Sequence, residues 1–268
     1  MTQVALVTGA NKGIGYYIAR NLAAKGFKVF IGCRDSTRAE TARKKLMDEV
    51  PLSSIATIEL DIGNEETIRR AALHMSESCT DGIDVLVNNA AMAYPHYSSE
   101  PFSKQADETI AINYFGTLKV CEHFIPILKK NSQGRIVNIS SRMGSIHKVK
   151  DTEIRAHLLS PSLTIPKLNE IMEGFRSAAA TGKHIAAGWP NSAYSVSKIG
   201  VTALSRILAR ENEEIKVVAC CPGWCRTDMA GDSAPHSAEE GADTPTWLAV
   251  DPAVRSGKFY ADRKETNF

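Results

Sequence analysis

At 268 residues and 43% hydrophobic content, the chain has enough apolar side chains for a sizeable core and too many for disorder. Its 32 Lys and Arg balance 30 Asp and Glu to a formal net charge of +2. No long basic run accompanies that balance, which argues against a nucleic-acid surface and for a small-molecule partner. The six cysteines (Cys33, Cys79, Cys121, Cys220, Cys221 and Cys225) form no Cys-x-x-Cys pair and no dense framework, as expected of reduced thiols in a cytosolic protein. No apolar stretch reaches the ~20 residues of a membrane span, and a strand expected almost from Met1 leaves no room for a signal peptide. The expectation is a cytoplasmic protein without a membrane partner.

In chain order, Val4 to Val7 is a short apolar run without alternation, the signature of a strand buried on both faces of a parallel sheet. A helix is expected from about Ile14 to Lys25, a strand over Lys28 to Gly32, a charged helix from about Thr37 to Asp48, and a strand over Ser54 to Leu60. Val85 to Val87, Arg135 to Ile139 and Ile215 to Cys220 continue the strands, with helical stretches between them. Such alternation predicts an α/β fold, a Rossmann-type doubly wound parallel sheet, and no linker divides residues 1–268. The rhythm breaks between about Arg142 and Pro190. There Leu168, Ile171, Met172 and Phe175 recur at helical spacing, so the segment reads as a helical insertion. It is either a wall of the pocket or a structural appendage.

The first strand runs into Thr8-Gly9-Ala10-Asn11-Lys12-Gly13-Ile14-Gly15. Glycines there admit unusual dihedrals and close backbone approach, and the following helix offers free N–H groups and a partial positive charge to a pyrophosphate. No Gly-Lys-Ser or Gly-Lys-Thr follows, which excludes a nucleoside-triphosphatase loop and leaves a dinucleotide site. The second strand ends at Cys33-Arg34-Asp35. An acid at this place favours NAD, and an arginine accommodates the 2′-phosphate of NADP. Neutral Cys33 followed by Arg34, with Lys12 as a second cation, points to NADPH/NADP+. Asp35 as a ribose reader is the competing assignment.

Further on, Tyr194 and Lys198 stand at i and i+4 of a predicted helix, about 6 Å apart along its axis. A free phenol titrates near ~10, and a nearby cation favours its ionised form, so the pair suits acid–base work near neutrality.

Taken with Asn88-Asn89-Ala90, Asn113 and Ser141, in this order, the Gly-rich turn and the Tyr194–Lys198 pair resemble the short-chain dehydrogenase/reductase family over essentially the whole chain. Leu60-Asp61-Ile62, Gly188-Trp189-Pro190 and the run Cys220 to Met229 look most like its monomeric, NADPH-dependent carbonyl reductases. The 52 residues between Ser141 and Tyr194 fit that subgroup, in which an insertion covers a surface used elsewhere for oligomerisation. The resemblance implies a monomer that reduces ketones, aldehydes or quinones. It implies Asn113, Ser141, Tyr194 and Lys198 as the catalytic four, with Tyr194 donating the proton, Ser141 binding the carbonyl oxygen, Lys198 tuning the phenol and Asn113 supporting Lys198 through a water. Ser140 is the alternative to Ser141. Asp61 and Ile62 would lie at the adenine and Asn89 along the cofactor. Pro222, Gly223, Cys225 and Thr227 would lie at the nicotinamide, completing a set with Gly9, Asn11, Lys12, Gly13, Ile14, Gly15, Arg34, Tyr194 and Lys198.

Candidate pocket residues are Met92, Tyr94, Gln105, Met143, Trp189, Trp224 and Met229, whose rings and thioethers suit planar, apolar carbonyl compounds. Arg142, directly after Ser141, either biases the pocket toward carboxylates or points to solvent. His74, His96, His123, His147, His157, His184 and His236 show no metal spacing, and no metal is expected. Two other functions are compatible with a nucleotide fold: a catalytically silent NADP-binding sensor and an NAD(P)-linked alcohol dehydrogenase acting oxidatively.

Overall fold

A computed structural model describes residues 2–95, 97–131 and 133–268, so His96 lies outside the described residues. Eight strands form one sheet: β1 (Val4–Thr8), β2 (Lys28–Cys33), β3 (Ile55–Glu59), β4 (Val85–Asn88), β5 (Arg135–Ile139), β6 (Lys216–Cys221), β7 (Phe259–Ala261) and β8 (Lys264–Thr266). Their order is β3-β2-β1-β4-β5-β6-β7-β8. The first seven run parallel and β8 pairs antiparallel with β7.

The helices are α1 (Gly13–Ala24), α2 (Ser36–Glu49), α3 (Glu65–Ser78), α4 (Phe102–Ile110), α5 (Thr117–Leu128), α6 (Thr152–Leu159), α7 (Ile165–Ala180), α8 (Ala193–Glu211), α9 (Ala238–Gly241) and α10 (Asp243–Val250). They cover both faces of the sheet, which is why its strands are apolar without alternation. Leu6, Phe30, Leu86 and Ile136 face one cluster, with α3, α5, α7 and α8. Ala5, Val7, Val29, Ile31 and Val137 face the other, with α1 and α10.

The expected elements are present with ends shifted by a residue or two. The insertion is two tight turns, Arg142–Gly144 and Ile146–Lys148, followed by α6 and α7. Leu168, Ile171, Met172 and Phe175 are all buried, and α7 packs against α4 and α8. Arg206 and Arg210 of α8 reach back to the carbonyls of Leu158, Leu159, Pro161 and Leu163, fastening the α6–α7 connection to α8. The C-terminal hairpin was not expected, because its strands are three residues long and its turn is made by Asp262 and Arg263. These adopt φ of 51° and 56° without a glycine to announce the turn.

At the opposite edge of the sheet from the Gly-rich turn, the buried guanidinium of Arg135 closes the C-terminus of α10. Its Nη1 donates to the carbonyls of Leu248 and Asp251 at 2.6 and 2.8 Å. Replacement Arg135→Met strands two carbonyls at a helix end, and a cost of about 2 kcal/mol is expected. Urea unfolding should show a lower midpoint with an unchanged slope.

Candidate active site

Every expected cofactor and catalytic residue lies on or next to the carboxyl edge of the sheet, where the crossovers on either side of β1 and β4 diverge and leave a crevice. The Gly-rich turn follows β1, Arg34 follows β2, Asp61 and Ile62 follow β3, Asn89 follows β4, Ser141 follows β5, and Pro222 to Thr227 follow β6. Gly9 and Gly13 hold φ of 64° and 58°, a region costly to side chains with a Cβ. Asn89 joins the two strand ends: its Nδ2 donates to the carbonyls of Thr8 and Gly9 at 2.9 and 3.2 Å. The Thr8 hydroxyl in turn accepts the N–H groups of Asn89 and Ala90.

Helix α1 begins after Lys12, which supplies no side-chain cap, whereas Asp35, Asn64, Asp151, Thr164 and Ser192 cap α2, α3, α6, α7 and α8. Its first N–H groups therefore remain available to an anion, the arrangement a pyrophosphate needs. Asp35 accepts the Arg38 N–H at 3.0 Å and is committed to capping α2. Exposed Arg34 forms no ion pair and no side-chain hydrogen bond among the described residues. Lys12 pairs with Asp228 of the loop after β6. Asp61 receives the Gly63 N–H at 2.9 Å, and Ile62 is buried beneath the helix that carries Asn113.

Asn113 sits in a π-helical turn, Ala111–Gly116, that joins α4 to α5. Such a bulge redirects side chains at functional sites. Only 1% exposed, Asn113 accepts the Met92 N–H through Oδ1 and donates through Nδ2 to the Met92 carbonyl and to Ser197 Oγ, at 2.8, 2.8 and 3.0 Å. Ser197 passes its own proton to the Tyr194 carbonyl at 2.8 Å. The amide thus clamps the chain after β4 to α8. Nothing in the sequence marks Ser197 for this contact beyond its place between Tyr194 and Lys198.

Ser140 is buried and bound to the Lys198 carbonyl and to Thr202 Oγ1, so its hydroxyl is spent on α8. The half-buried Ser141 accepts the Met143 N–H at 3.0 Å, and its hydroxyl stands close enough to the Tyr194 phenol to lower the phenol's pKa. Burial pushes that phenol up to about 12, the Ser141 hydrogen bond pulls it down, and Cys221 adds to the rise. Lys198 is 3% exposed, its Nζ donating to the Ile139 carbonyl at 2.7 Å and lying 5.5 Å from the Tyr194 ring centroid. Burial brings its ammonium down to about 8, against a smaller upward pull from Cys220 and Cys221. Lys198 is expected to lower the Tyr194 pKa, but desolvation prevails in the net shift, which is upward, and the phenol is a protonated donor at neutral pH. Gly144 carries no sequence signal either. A Cβ there would lie 2.7 Å from the Lys198 carbonyl carbon, so glycine lets the turn after Ser141 press against α8.

Of the pocket candidates, Met143, Trp224 and Met229 are exposed at the rim, and Met92 is held by Asn113. Trp189 is not in the pocket: it is buried against Phe175, with ring centroids 5.3 Å apart. The Tyr94 hydroxyl is bound to Glu108, and the Gln105 amide donates to the Glu100 carbonyl. Cys225 is buried beside Gly241 and Ile14, so its thiol packs the loop down on α9 and α1, and only its backbone remains for a ligand.

The short chain dehydrogenase family model matches residues 3–152 and 180–238. The chain belongs to that family. Residues 153–179, which the family model passes over, contain most of α6 and α7, the inserted pair. Among curated members, carbonyl reductase [NADPH] 1 of Mus musculus is 44% identical over 273 residues, spanning 97% of this chain and 96% of that protein. The Homo sapiens protein of the same name is 42% identical, spanning 95% and 93%. Among solved family structures, salutaridine reductase of Papaver somniferum superposes with a TM-score of 0.89 at 29% identity, covering 96% of this chain and 99% of that one.

The depressed Lys198 pKa has a thermodynamic corollary. A lysine whose folded pKa lies below its unfolded value of 10.5 opposes folding most below pH 8, and the penalty fades as pH rises through 8 toward 10.5. Lys198→Met, which removes the buried charge but leaves the Ile139 carbonyl unpaired, is expected to stabilise the fold by on the order of 1 kcal/mol at pH 7. Thermal unfolding should show that gain shrink between pH 8 and 10.

Proposed function

We propose that the protein is an NADPH-dependent carbonyl reductase in which Tyr194 is the general acid. The observation that carries this reading is the half-buried, protonated Tyr194 phenol next to Ser141 and the buried Lys198 ammonium, at the same edge of the sheet as an uncapped helix N-terminus. The relatives that span nearly its whole length bear the name carbonyl reductase [NADPH]. The residues present suit the cofactor. Free N–H groups at the start of α1 receive the pyrophosphate, and Gly9 to Gly15 let it approach. Arg34 receives the 2′-phosphate together with Lys12, which trades Asp228 for it. Asp61 and Ile62 border the adenine, while Asn89, Pro222, Gly223 and Thr227 border the remainder.

When bound, NADPH supplies the hydride to the carbonyl carbon. Negative charge then grows on the carbonyl oxygen, where the Tyr194 O–H donates its proton and the Ser141 hydroxyl steadies the charge. Lys198, held by the Ile139 carbonyl, gives the site a cation that favours the phenolate left behind. Asn113 acts as a positioning residue through Met92 and Ser197. A silent sensor would have no use for this set, and Arg34, with Asp35 occupied as a cap, favours NADPH over NADH.

Helix α7 packs against both α4 and α8, which supports a monomer. All six cysteines are unpaired and buried, and no helix among the described residues is long and apolar enough to cross a membrane. The unpaired thiols suit a reducing compartment such as the cytoplasm.

Tyr194→Phe should lower turnover of menadione or isatin by a hundredfold or more while the dissociation constant for NADPH, read by fluorescence titration, stays within twofold. Near-normal turnover would exclude Tyr194 as the acid. Arg34→Asp should shift the NADPH-to-NADH affinity ratio tenfold or more toward NADH, about 1.4 kcal/mol per tenfold. An unchanged ratio would remove Arg34 from the phosphate site.

A further inference from the structure

Two cations follow Ser141 in the segment after β5, and the reduction described above uses neither. The turn Ile146–Lys148 brings the half-buried Lys148 ammonium to Ser195 Oγ at 3.4 Å and to the Met143 sulfur at 3.6 Å. Both neighbours are uncharged, the sulfur is a weak acceptor, and Lys148 has no carboxylate partner among the described residues. Most ammonium groups at such depth are neutralised, because a partly desolvated charge without a counter-ion is costly. Its position is close to the reaction centre in the chain: Ser195 follows Tyr194, and Met143 lies two residues beyond Ser141.

Further out, Arg142 is exposed and donates to Asp262 of the β7–β8 turn at 2.6 Å. Its charge does not point to empty solvent, and it is not free either. An exposed ion pair of this kind is worth about 0–1 kcal/mol, so an incoming anion can exchange for Asp262. Met143, next to Arg142 in the chain and in contact with Lys148, is exposed, and so are Trp224 and Met229 on the loop after the neighbouring strand β6. Exposed large apolar side chains beside an unneutralised ammonium make a surface complementary to an amphipathic anion.

We propose that Lys148 is a substrate-binding residue, and that the preferred substrates are apolar or aromatic carbonyl compounds bearing a carboxylate, with Arg142 as an outer, exchangeable second cation. This rests on the reductase reading and names its substrate class. The carboxylate binds Lys148, the apolar body lies against Met143 and Trp224, and the carbonyl oxygen meets Tyr194 and Ser141.

The test uses 4-carboxybenzaldehyde and methyl 4-formylbenzoate, which share the reacting aldehyde and differ in charge. The wild-type protein should reduce the acid with a kcat/KM at least tenfold above the ester, mainly through KM, and the advantage should shrink at 0.5 M salt by screening. Lys148→Met should reduce the acid-to-ester ratio tenfold or more, and Lys148→Arg should retain most of it. Turnover of the ester with no preference for the acid, or a ratio untouched by Lys148→Met, overturns this inference alone. Absence of turnover for both compounds, with NADPH bound, overturns the reductase reading and this inference with it.

Discussion

The Lys198 ammonium, nearly inaccessible to water and held by one carbonyl at the end of β5, is the constraint around which the site is arranged. A charge so placed is tolerated only if its surroundings are rigid and its one hydrogen bond is secure. Both conditions are met by packing: α8 is buried along most of its length, Gly144 lets the turn after β5 lie directly on it, and Ser140 bonds the Lys198 carbonyl. The same contacts bring Ser141, whose Oγ accepts the Met143 N–H, to the side of the Tyr194 phenol, so the order of the site follows from the demand of the buried charge.

A second level of order comes from the sheet. Parallel strands deliver their ends to one edge, and the reversal between β1 and β4 opens a crevice there. Asn89 with three hydrogen bonds and Ala90 with one hold the two strand ends together, while Asn113 reaches from the π-helical turn to Met92 and Ser197. Neither amide needs to touch a substrate to matter. Each converts a flexible connection into a fixed distance between elements.

The strands from β1 to β6 were legible because a sheet covered on both sides demands continuous apolar runs, and those runs stand out between charged helices. The Gly-rich turn and the Tyr194–Lys198 pair were legible because their chemistry is local in the chain. Contacts made at long range were not. Trp189 looked like a pocket ring and lies under α7, since aromatic residues serve core and cleft equally well. The Lys12 pair with Asp228 joins residues 216 positions apart, and spacing carries no trace of it. The net upward shift of the phenol was likewise not legible, because the adjacent cation is visible in the chain and the loss of water is not.

The three tryptophans divide sharply by environment. Trp189 is buried in the core, and Trp247 is anchored through Nε1 to Asp251 at 2.7 Å beside Tyr260. Trp224 alone is largely open, with 56% of its surface exposed on the loop that follows β6. The long-wavelength edge of the intrinsic fluorescence therefore belongs mainly to a single indole at the rim of the crevice. The molecule carries its own optical reporter of whatever settles there, with no label attached.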